Sequence, residues 1–351
     1  MTTAAIIGAQ GYSGRELARL LLQHPHIQLT HVYTRNPEWR LSDELSEPGA
    51  AQVQHGLVEH LNKDIPNVDI VFLATPHEAS IELTKLLYDK VKWIIDLSGA
   101  FRLPAEIFDQ WYQPAHDAKE LLSKAQYGLC PWQQAAPTKL IANPGCYATA
   151  VLMALLPFAA AGLVPDQTII IDAKSGISGA GRTAKNELLF CEMANNFYPY
   201  KIGKHQHTPE IQQATLQFTQ AKIKPLLTTQ VLPIPRGISA ALYIPFQGSK
   251  EKIIEQVHTA YQQAYTNYPL VKYAYLPDLA HKAQQQLLAL RNISGSCRTH
   301  IGYEVVDDHI VVFSMIDNLL KGAASQAVEN ANRILGLDYI CGLENNLEVI
   351  L

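Results

Sequence analysis

Ala4-Ala5-Ile6-Ile7-Gly8-Ala9-Gln10-Gly11-Tyr12-Ser13-Gly14 is the stretch on which the reading of this chain turns. The apolar run Ala4 to Ile7 reads as a buried strand, and Gly8 to Gly14 as a tight turn. Ser13, with Glu16 three residues on, has the spacing of a capping box. Leu17, Leu20 and Leu21 then follow at helical spacing. Strand, glycine turn and helix in this order suit a dinucleotide. Small residues let the backbone approach a pyrophosphate, and the helix N-terminus offers N–H donors and a positive dipole end. The glycine spacing is Gly-x-x-Gly-x-x-Gly, not the standard Gly-x-Gly-x-x-Gly, so the context carries the assignment.

Working outward, strands are predicted at Leu29–Thr34, Asp69–Ala74, Trp93–Leu97 and Leu140–Ala142, with a helix from about Glu78 to Tyr88. This alternation implies a parallel, doubly wound sheet. The pattern changes after Cys146. A helix at Tyr147–Ala160 is expected to kink or break at Pro157. Strands follow at Thr168–Ala173, Gln230–Ile234, Ile238–Ile244 and Ile310–Ile316, with a helix at Ile253–Tyr265, the pattern of a mixed α+β sheet. Lys321–Leu335 carries a clean helical stripe stopped by Gly336, and is expected to pack back on the first domain.

Composition narrows the function classes. The 351 residues suit two domains, and 48% hydrophobic content supports a packed core. A net charge of −4 argues against a nucleic-acid-binding surface over the whole protein. The longest apolar stretch, Ala150–Val164, is interrupted by Pro157 and falls short of the roughly 20 residues of a membrane helix. No secretory signal is read at the N-terminus. Five cysteines without close pairing fit a reducing, cytoplasmic setting.

The second strand ends in Tyr33-Thr34-Arg35-Asn36, with no acid to hold ribose hydroxyls. Arg35 could instead pair with a 2′-phosphate, which favours NADP over NAD. Cys146 lies in Asn143-Pro144-Gly145-Cys146-Tyr147, where a sharp turn meets a helix N-terminus. That position lowers a thiol pKa and favours the nucleophilic thiolate. Cys130, Cys191, Cys297 and Cys341 read as buried structural thiols. His205-Gln206-His207-Thr208-Pro209-Glu210 supplies a base for the thiol: His207, with Glu210 three residues on to orient it. Thr208 is the expected N-cap and Pro209 the first-turn residue of the helix that follows. A zinc site at His205, His207 and Glu210 is the competing reading, but no third strong ligand is close and Lys204 adds positive charge. Lys174 to Arg182, with Ser175, Gly176 and Gly179, offers backbone donors, hydroxyls and a cation for an anion or the nicotinamide end of a cofactor. Ser98 and Arg102 lie on a loop at a strand's carboxyl end, where ligands of open parallel sheets collect.

Taken together, Gly8 to Gly14, Asp96-Leu97-Ser98 with Phe101-Arg102-Leu103, Asn143 to Tyr147, Lys174 to Arg182, His205 to Ile211, Pro235-Arg236-Gly237-Ile238 and Asp317-Asn318-Leu319 with Lys321-Gly322-Ala323 resemble the N-acetyl-gamma-glutamyl-phosphate reductases of arginine biosynthesis. The resemblance runs from about residue 4 to 336. It implies a Rossmann-type NADP-binding domain at 1–146, completed by a C-terminal segment at about 318–351. It also implies an α+β catalytic and dimerisation domain of the semialdehyde dehydrogenase type at 147–317. The implied reaction is NADPH-dependent reductive dephosphorylation of an acyl phosphate to a semialdehyde through a thioester on Cys146, with His207 as acid/base and Glu210 holding it. Cofactor contacts are then expected from Gly8, Gly11, Tyr12, Ser13, Gly14, Thr34, Arg35, Ser98, Ser175, Gly176, Gly179 and Asn318. Substrate contacts are expected from Arg102, Asn143, His205 and Arg236, with His205 the fallback base and Arg236 alternatively a structural pair. The resemblance calls for no metal, and implies phosphate and small-molecule substrates, no nucleic-acid or membrane partner, and a homodimer or homotetramer. Three rival readings carry their own discriminators. A paralogous reductase of a carrier-borne aminoadipyl phosphate needs a basic rim, whereas the lysines here are scattered. A non-catalytic NADP-binding protein predicts no dependence on Cys146. A metal hydrolase predicts sensitivity to chelators.

Overall fold

The computed structural model describes residues 1–63 and 65–347. The chain divides into two compact units, each described by itself: Met1–Gly145 with Ala323–Asn345, and Cys146–Gly322 with Asn346 and Leu347.

The first unit is a seven-stranded parallel sheet. Its elements are β1 (Thr2–Ile7), α1 (Tyr12–Leu22), β2 (Ile27–Thr34), β3 (Gln54–Leu57), β4 (Ile70–Leu73), α2 (His77–Leu87), β5 (Trp93–Asp96), α3 (Ala105–Trp111), α4 (Lys119–Leu122), β6 (Ala125–Tyr127) and β7 (Leu140–Ala142). The strand order is β3-β2-β1-β4-β5-β7-β6, so the winding reverses between β1 and β4. Such a switch point leaves a crevice at the carboxyl ends of the strands, which is where Gly8 and Thr75 lie. Ala4 to Ile7 and Ile70 to Leu73 are fully buried, as a sheet covered on both faces requires. The terminal helix Ser325–Leu335 belongs to this unit and contacts α1. Its buried Asn330 donates to the Gly128 carbonyl at 2.7 Å, which ties it to the loop after β6.

The second unit holds α5 (Cys146–Ala160), β8 (Thr168–Gly176), α6 (Phe190–Met193), β9 (Tyr198–Tyr200), α7 (His207–Thr219), β10 (Lys224–Leu232), β11 (Ile238–Pro245), α8 (Lys250–Tyr265), β12 (Val271–Tyr275), α9 (His281–Leu288), β13 (Thr299–Val306) and β14 (His309–Ile316). Its sheet is mixed, in the order β12-β13-β14-β11-β8-β10-β9. Helix α5 packs on β11 and β14 and touches both α7 and α8. Every residue of α5 from Tyr147 to Ala159 is buried, as expected of a helix that is apolar all round.

Pro157 does not break this helix. A proline there leaves the Met153 carbonyl without its helical N–H. The Tyr265 hydroxyl donates to that carbonyl at 2.5 Å, so the lost bond is replaced from α8. The expected segment boundary at 318 also shifts: residues 318–322 cluster with the second unit. Asp317, at the end of β14, accepts from the backbone N–H groups of Leu319 and Leu320 and so holds that turn to its own strand. The stripe expected to begin at Lys321 starts as a π-helical turn, Leu320–Ala324, before the α-helix. Residues 348–351 of that expected segment lie outside the described residues.

Candidate active site

In the first unit, the glycine turn is closed by short backbone bonds. Gly8 N donates to Tyr33 O at 2.8 Å, and Gly11 N to Gly8 O at 3.1 Å. Gly8 has φ +93°, and a Cβ there would lie 2.4 Å from the Ala74 carbonyl oxygen. A Cβ on Gly14 would lie 2.4 Å from Gly8 O, so the first helical turn rests directly on the loop. The capping box does not form as expected: α1 starts at Tyr12, and its N-cap is Gly11, with no side-chain cap. No acid stands in the first turn. A helix start without a side-chain cap, on a loop too tight for side chains, is a cradle that fits a pyrophosphate. Thr34 and Arg35 follow at the end of β2. The Thr34 hydroxyl is committed to the Asn36 carbonyl at 3.0 Å, while Arg35 is exposed and has no ion pair among the described residues.

Other expected contacts in this unit are committed to the chain itself. The Ser98 hydroxyl donates to buried Asp96 at 2.8 Å and accepts from Ala100 N. Burial pushes the Asp96 carboxyl up, against the Ser98 hydrogen bonds that pull it down. Arg102 donates from Nε to Asn143 O and from a terminal nitrogen to Leu97 O, both at 2.8 Å. Asn143 is fully buried. Its Nδ2 donates to Ala323 O and its Oδ1 accepts from Asn330, both at 3.1 Å. Both ends of the Asn143 amide, expected at the substrate, thus bond within the unit, to the π-helical turn at Ala323 and to the following helix at Asn330.

The second unit brings the nucleophile and histidine segments together. Cys146 is half-buried and is the first residue of α5. Adjacent Tyr147 ties the two segments: its ring lies 5.3 Å from that of His205 and 6.0 Å from that of His207. The Tyr147 hydroxyl donates to Gln230 O at 3.2 Å and accepts from the Tyr200 hydroxyl at 3.1 Å. The Tyr200 ring lies 5.8 Å from that of His205. Burial pushes the Tyr200 phenol up to about 12 and Tyr147 further still, with Cys146 adding to both shifts. Sequence reasoning gave neither tyrosine a role at the site.

The histidine rings lie 4.7 Å apart. His205 Nδ1 accepts the His207 N–H at 3.2 Å. Burial, then His207 and Lys201, push the His205 imidazole down to about 2. His205 is thus neutral at any ordinary pH and serves as a fixed acceptor. His207 is 7% exposed, and its Nε2 faces the buried Glu210 carboxylate at 3.8 Å. Helix α7 starts at His207 with Gln206 at the N-cap, two residues earlier than the expected Thr208 cap. The difference puts His207 on the rigid first turn, on the same helical face as Glu210.

The remaining expected contacts form a structural knot. Gly176 N, Ile177 N and Ser178 N donate to Gly237, Ile234 and Pro235 carbonyls at 2.9, 2.9 and 3.0 Å. A Cβ on Gly176 would lie 2.7 Å from Arg236 N. These donors, expected to face a ligand, instead hold the β10–β11 connection. Ser175 is buried and donates to Gly176 O, and Gly179 stands over its hydroxyl. Asn318, expected at the nicotinamide, accepts Gly237 N at 2.7 Å and donates to the Ser178 hydroxyl at 3.0 Å. Arg236, expected either at an anionic group of the substrate or in a structural pair, has its Nε 2.6 Å from fully buried Asp317. Cys130 and Cys297 are buried as expected, but Cys191, on the short helix α6, is exposed and Cys341, on a turn outside the sheets, is half-exposed. Among the described residues no cluster of three or more His, Cys, Asp or Glu could hold a metal ion, and no helix is long and apolar enough to cross a membrane.

Comparison with known proteins agrees with this layout. Residues 3–139 match the semialdehyde dehydrogenase NAD binding domain, and residues 146–318 the semialdehyde dehydrogenase dimerisation domain. An N-acetyl-gamma-glutamyl-phosphate reductase of Bacillus cereus (strain AH187) is 39% identical over 97% of this chain and 98% of its own. One of Bacillus anthracis is 38% identical over the same shares. Among solved structures, aspartate semialdehyde dehydrogenase II of Vibrio cholerae, complexed with ASA, superposes with a TM-score of 0.70 at 17% identity, covering 96% of this chain and 98% of that one. The Candida albicans aspartate semialdehyde dehydrogenase with NADP reaches 0.63 at 15% identity, covering 96% and 98%. These last two establish the shared fold. Matched by the two domain models over residues 3–139 and 146–318 and by these relatives over 97% of its length, the chain belongs to the N-acetyl-gamma-glutamyl-phosphate reductase family, of the semialdehyde dehydrogenase type.

Proposed function

We propose that this protein reduces N-acetyl-L-glutamyl 5-phosphate to N-acetyl-L-glutamate 5-semialdehyde in arginine biosynthesis, with NADPH as reductant. The observation that carries the reading is the grouping, in one unit, of half-buried Cys146 at the start of α5 with Tyr147, Tyr200, His205, His207 and Glu210.

The Cys146 thiolate attacks the acyl carbon. A C–S bond forms, the bond from that carbon to the phosphate oxygen breaks, and inorganic phosphate leaves. A thioester is a better hydride acceptor than a carboxylate, so the covalent route lowers the barrier to reduction. NADPH, when bound, would supply the hydride that reduces this thioester. His207 gives a proton to the oxygen of the resulting tetrahedral adduct and takes it back as the C–S bond breaks, releasing the aldehyde and the thiolate. Glu210 orients the His207 imidazole, while neutral His205 fixes the His207 backbone.

In this reading the first unit binds the cofactor, with Gly8 to Gly14 at the pyrophosphate and Arg35 at the 2′-phosphate. The second unit carries the chemistry and the subunit contacts. A homodimer or homotetramer is supported by the sheet face opposite α5, where Ile170 and Leu226 are 44% and 50% exposed. The five free cysteines are consistent with a cytoplasmic enzyme.

The test follows phosphate-dependent reduction of NADP by the semialdehyde. Cys146→Ser should abolish turnover while leaving cofactor binding, read by nicotinamide fluorescence, unchanged. Turnover near that of the unaltered protein in this variant would remove the mechanism.

A further inference from the structure

We propose that Lys201, backed by Lys185, receives the carboxylate at the non-reacting end of the substrate and is a specificity-determining residue of this enzyme. The inference rests on the function proposed above. A glutamyl phosphate carries two anionic groups, the phosphoryl group at the reacting carbon and the α-carboxylate at the far end. Two cations of the catalytic unit are already neutralised. Arg236 is paired with buried Asp317, and Lys174 is held by Asp172.

Lys201 stands apart from these. It directly follows β9, whose last residue is Tyr200, and has φ +48°, the left-handed region that a lysine rarely adopts. The turn it starts is closed by Lys204 N donating to Lys201 O at 2.9 Å, and it leads straight into His205. Lys201 Nζ donates to Gln206 Oε1 at 2.8 Å, and Gln206 is the residue between the two histidines. One such bond leaves two ammonium protons for another acceptor. Among the described residues no carboxylate pairs with Lys201. Its electrostatic neighbour is instead a second cation, Lys185, and burial together with Lys185 holds the Lys201 pKa below the usual lysine value.

Two cations held together without an acid repel each other until an anion joins them. The charge of Lys201 reaches His205, whereas that of Cys146 reaches Tyr147 and Tyr200. By geometry, Lys201 adjoins Tyr200, whose hydroxyl meets that of Tyr147 beside Cys146, and its Nζ is fastened to Gln206 between the two histidines, so the ammonium borders the tyrosine–histidine cluster next to the thiol. The far end of a substrate acylated on Cys146 arrives there, and its phosphoryl group does not.

The experiment compares two aldehydes in the oxidative direction: N-acetylglutamate semialdehyde, and N-acetyl-4-aminobutanal, which lacks only the carboxylate. Lys201→Gln should raise KM for the carboxylated aldehyde about 10- to 100-fold, the range for one charged hydrogen bond, with little change in kcat. KM for phosphate and for NADP should not move. Lys201→Arg should recover most of the loss, and Lys185→Gln should show a smaller rise. The unaltered enzyme and Lys201→Gln should use the decarboxylated aldehyde equally poorly. An equal loss on both aldehydes, an unchanged KM, or a rise confined to phosphate would overturn the assignment. Inactivity of the unaltered enzyme on both aldehydes would overturn the proposed function itself, a result distinct from failure at Lys201.

Discussion

Gly322→Ala is a sharp test of how the nucleophile is positioned. A Cβ at residue 322 would lie 2.8 Å from Cys146 Cβ, 3.2 Å from Cys146 Cα and 3.3 Å from Ile316 Cδ1. Ordinary carbon–carbon contacts are about 3.5–4.0 Å, so one side must give way by about 0.7 Å or more. None of these atoms ends a long flexible side chain. Cys146 Cα and Cβ move only with the first turn of α5, and that helix is buried through Ala159. Overpacking of this kind costs about 1–3 kcal/mol, of which alanine in a helical turn returns about 1 kcal/mol relative to glycine. Stability should therefore fall by at most about 2 kcal/mol, while the sulfur is displaced by a sizeable fraction of an ångström. A misplacement of about 1 Å can cost on the order of 100-fold in rate. The expected result is a loss of about 10- to 100-fold in kcat with the fold retained. It would be measured as phosphate-dependent aldehyde oxidation beside thermal melting, with iodoacetamide alkylation of Cys146 as an activity-independent probe. If rate, alkylation and melting all match the unaltered protein, the contact between Gly322 and Cys146 does not set the thiol's position.

Three further outcomes follow from the geometry. Arg35→Ala should raise KM for NADP about tenfold or more and leave KM for NAD nearly unchanged, as read by initial rates with each cofactor; equal effects would refute a 2′-phosphate role. Asp317→Ala should destabilise the second unit by about 3–5 kcal/mol, because it strands the Arg236 charge and three backbone N–H groups, of Gly295, Leu319 and Leu320. Denaturant titration measures this, and a loss below about 1 kcal/mol would contradict the burial argument. His205 has a folded pKa of about 2, below the ordinary histidine value near 6.5, so the unfolded chain binds the proton first. Its contribution to stability is present above about pH 6.5 and is lost as pH falls from there toward 2, by up to about 1.4 kcal/mol per unit. His205→Asn should flatten this acid limb in urea titrations from pH 7 to 5, and an unchanged slope would show that the imidazole is solvated.

Parts of this site were legible along the chain because their chemistry is local. The Gly8–Gly14 turn, the strand–turn–helix that holds it, Cys146 at a helix start, and His207 three residues before Glu210 all depend on neighbours within a few positions. Spacing alone exposes such features. β12, β13 and the short β9 were missed for the opposite reason. β9 is three residues with a central proline, and it is a strand only because β10 pairs with it.

The amino-acid sequence by itself determined the parallel dinucleotide-type sheet, the change to a mixed sheet after Cys146, and the placing of Cys146 and of His207 with Glu210 at the starts of two helices. Tertiary structure alone decided which polar groups remain available for a ligand. Asn143, Ser98, Asn318 and Arg236 all looked like ligand contacts, yet each is bound to a group 2 to 187 residues away. Tyr147 and Tyr200 carried no signal of a role, yet they link the cysteine to the histidines. A side chain's donors and acceptors are fixed by its type, but whether they meet water, substrate or another part of the chain depends on contacts between distant segments, and those exist only once the sheets have formed.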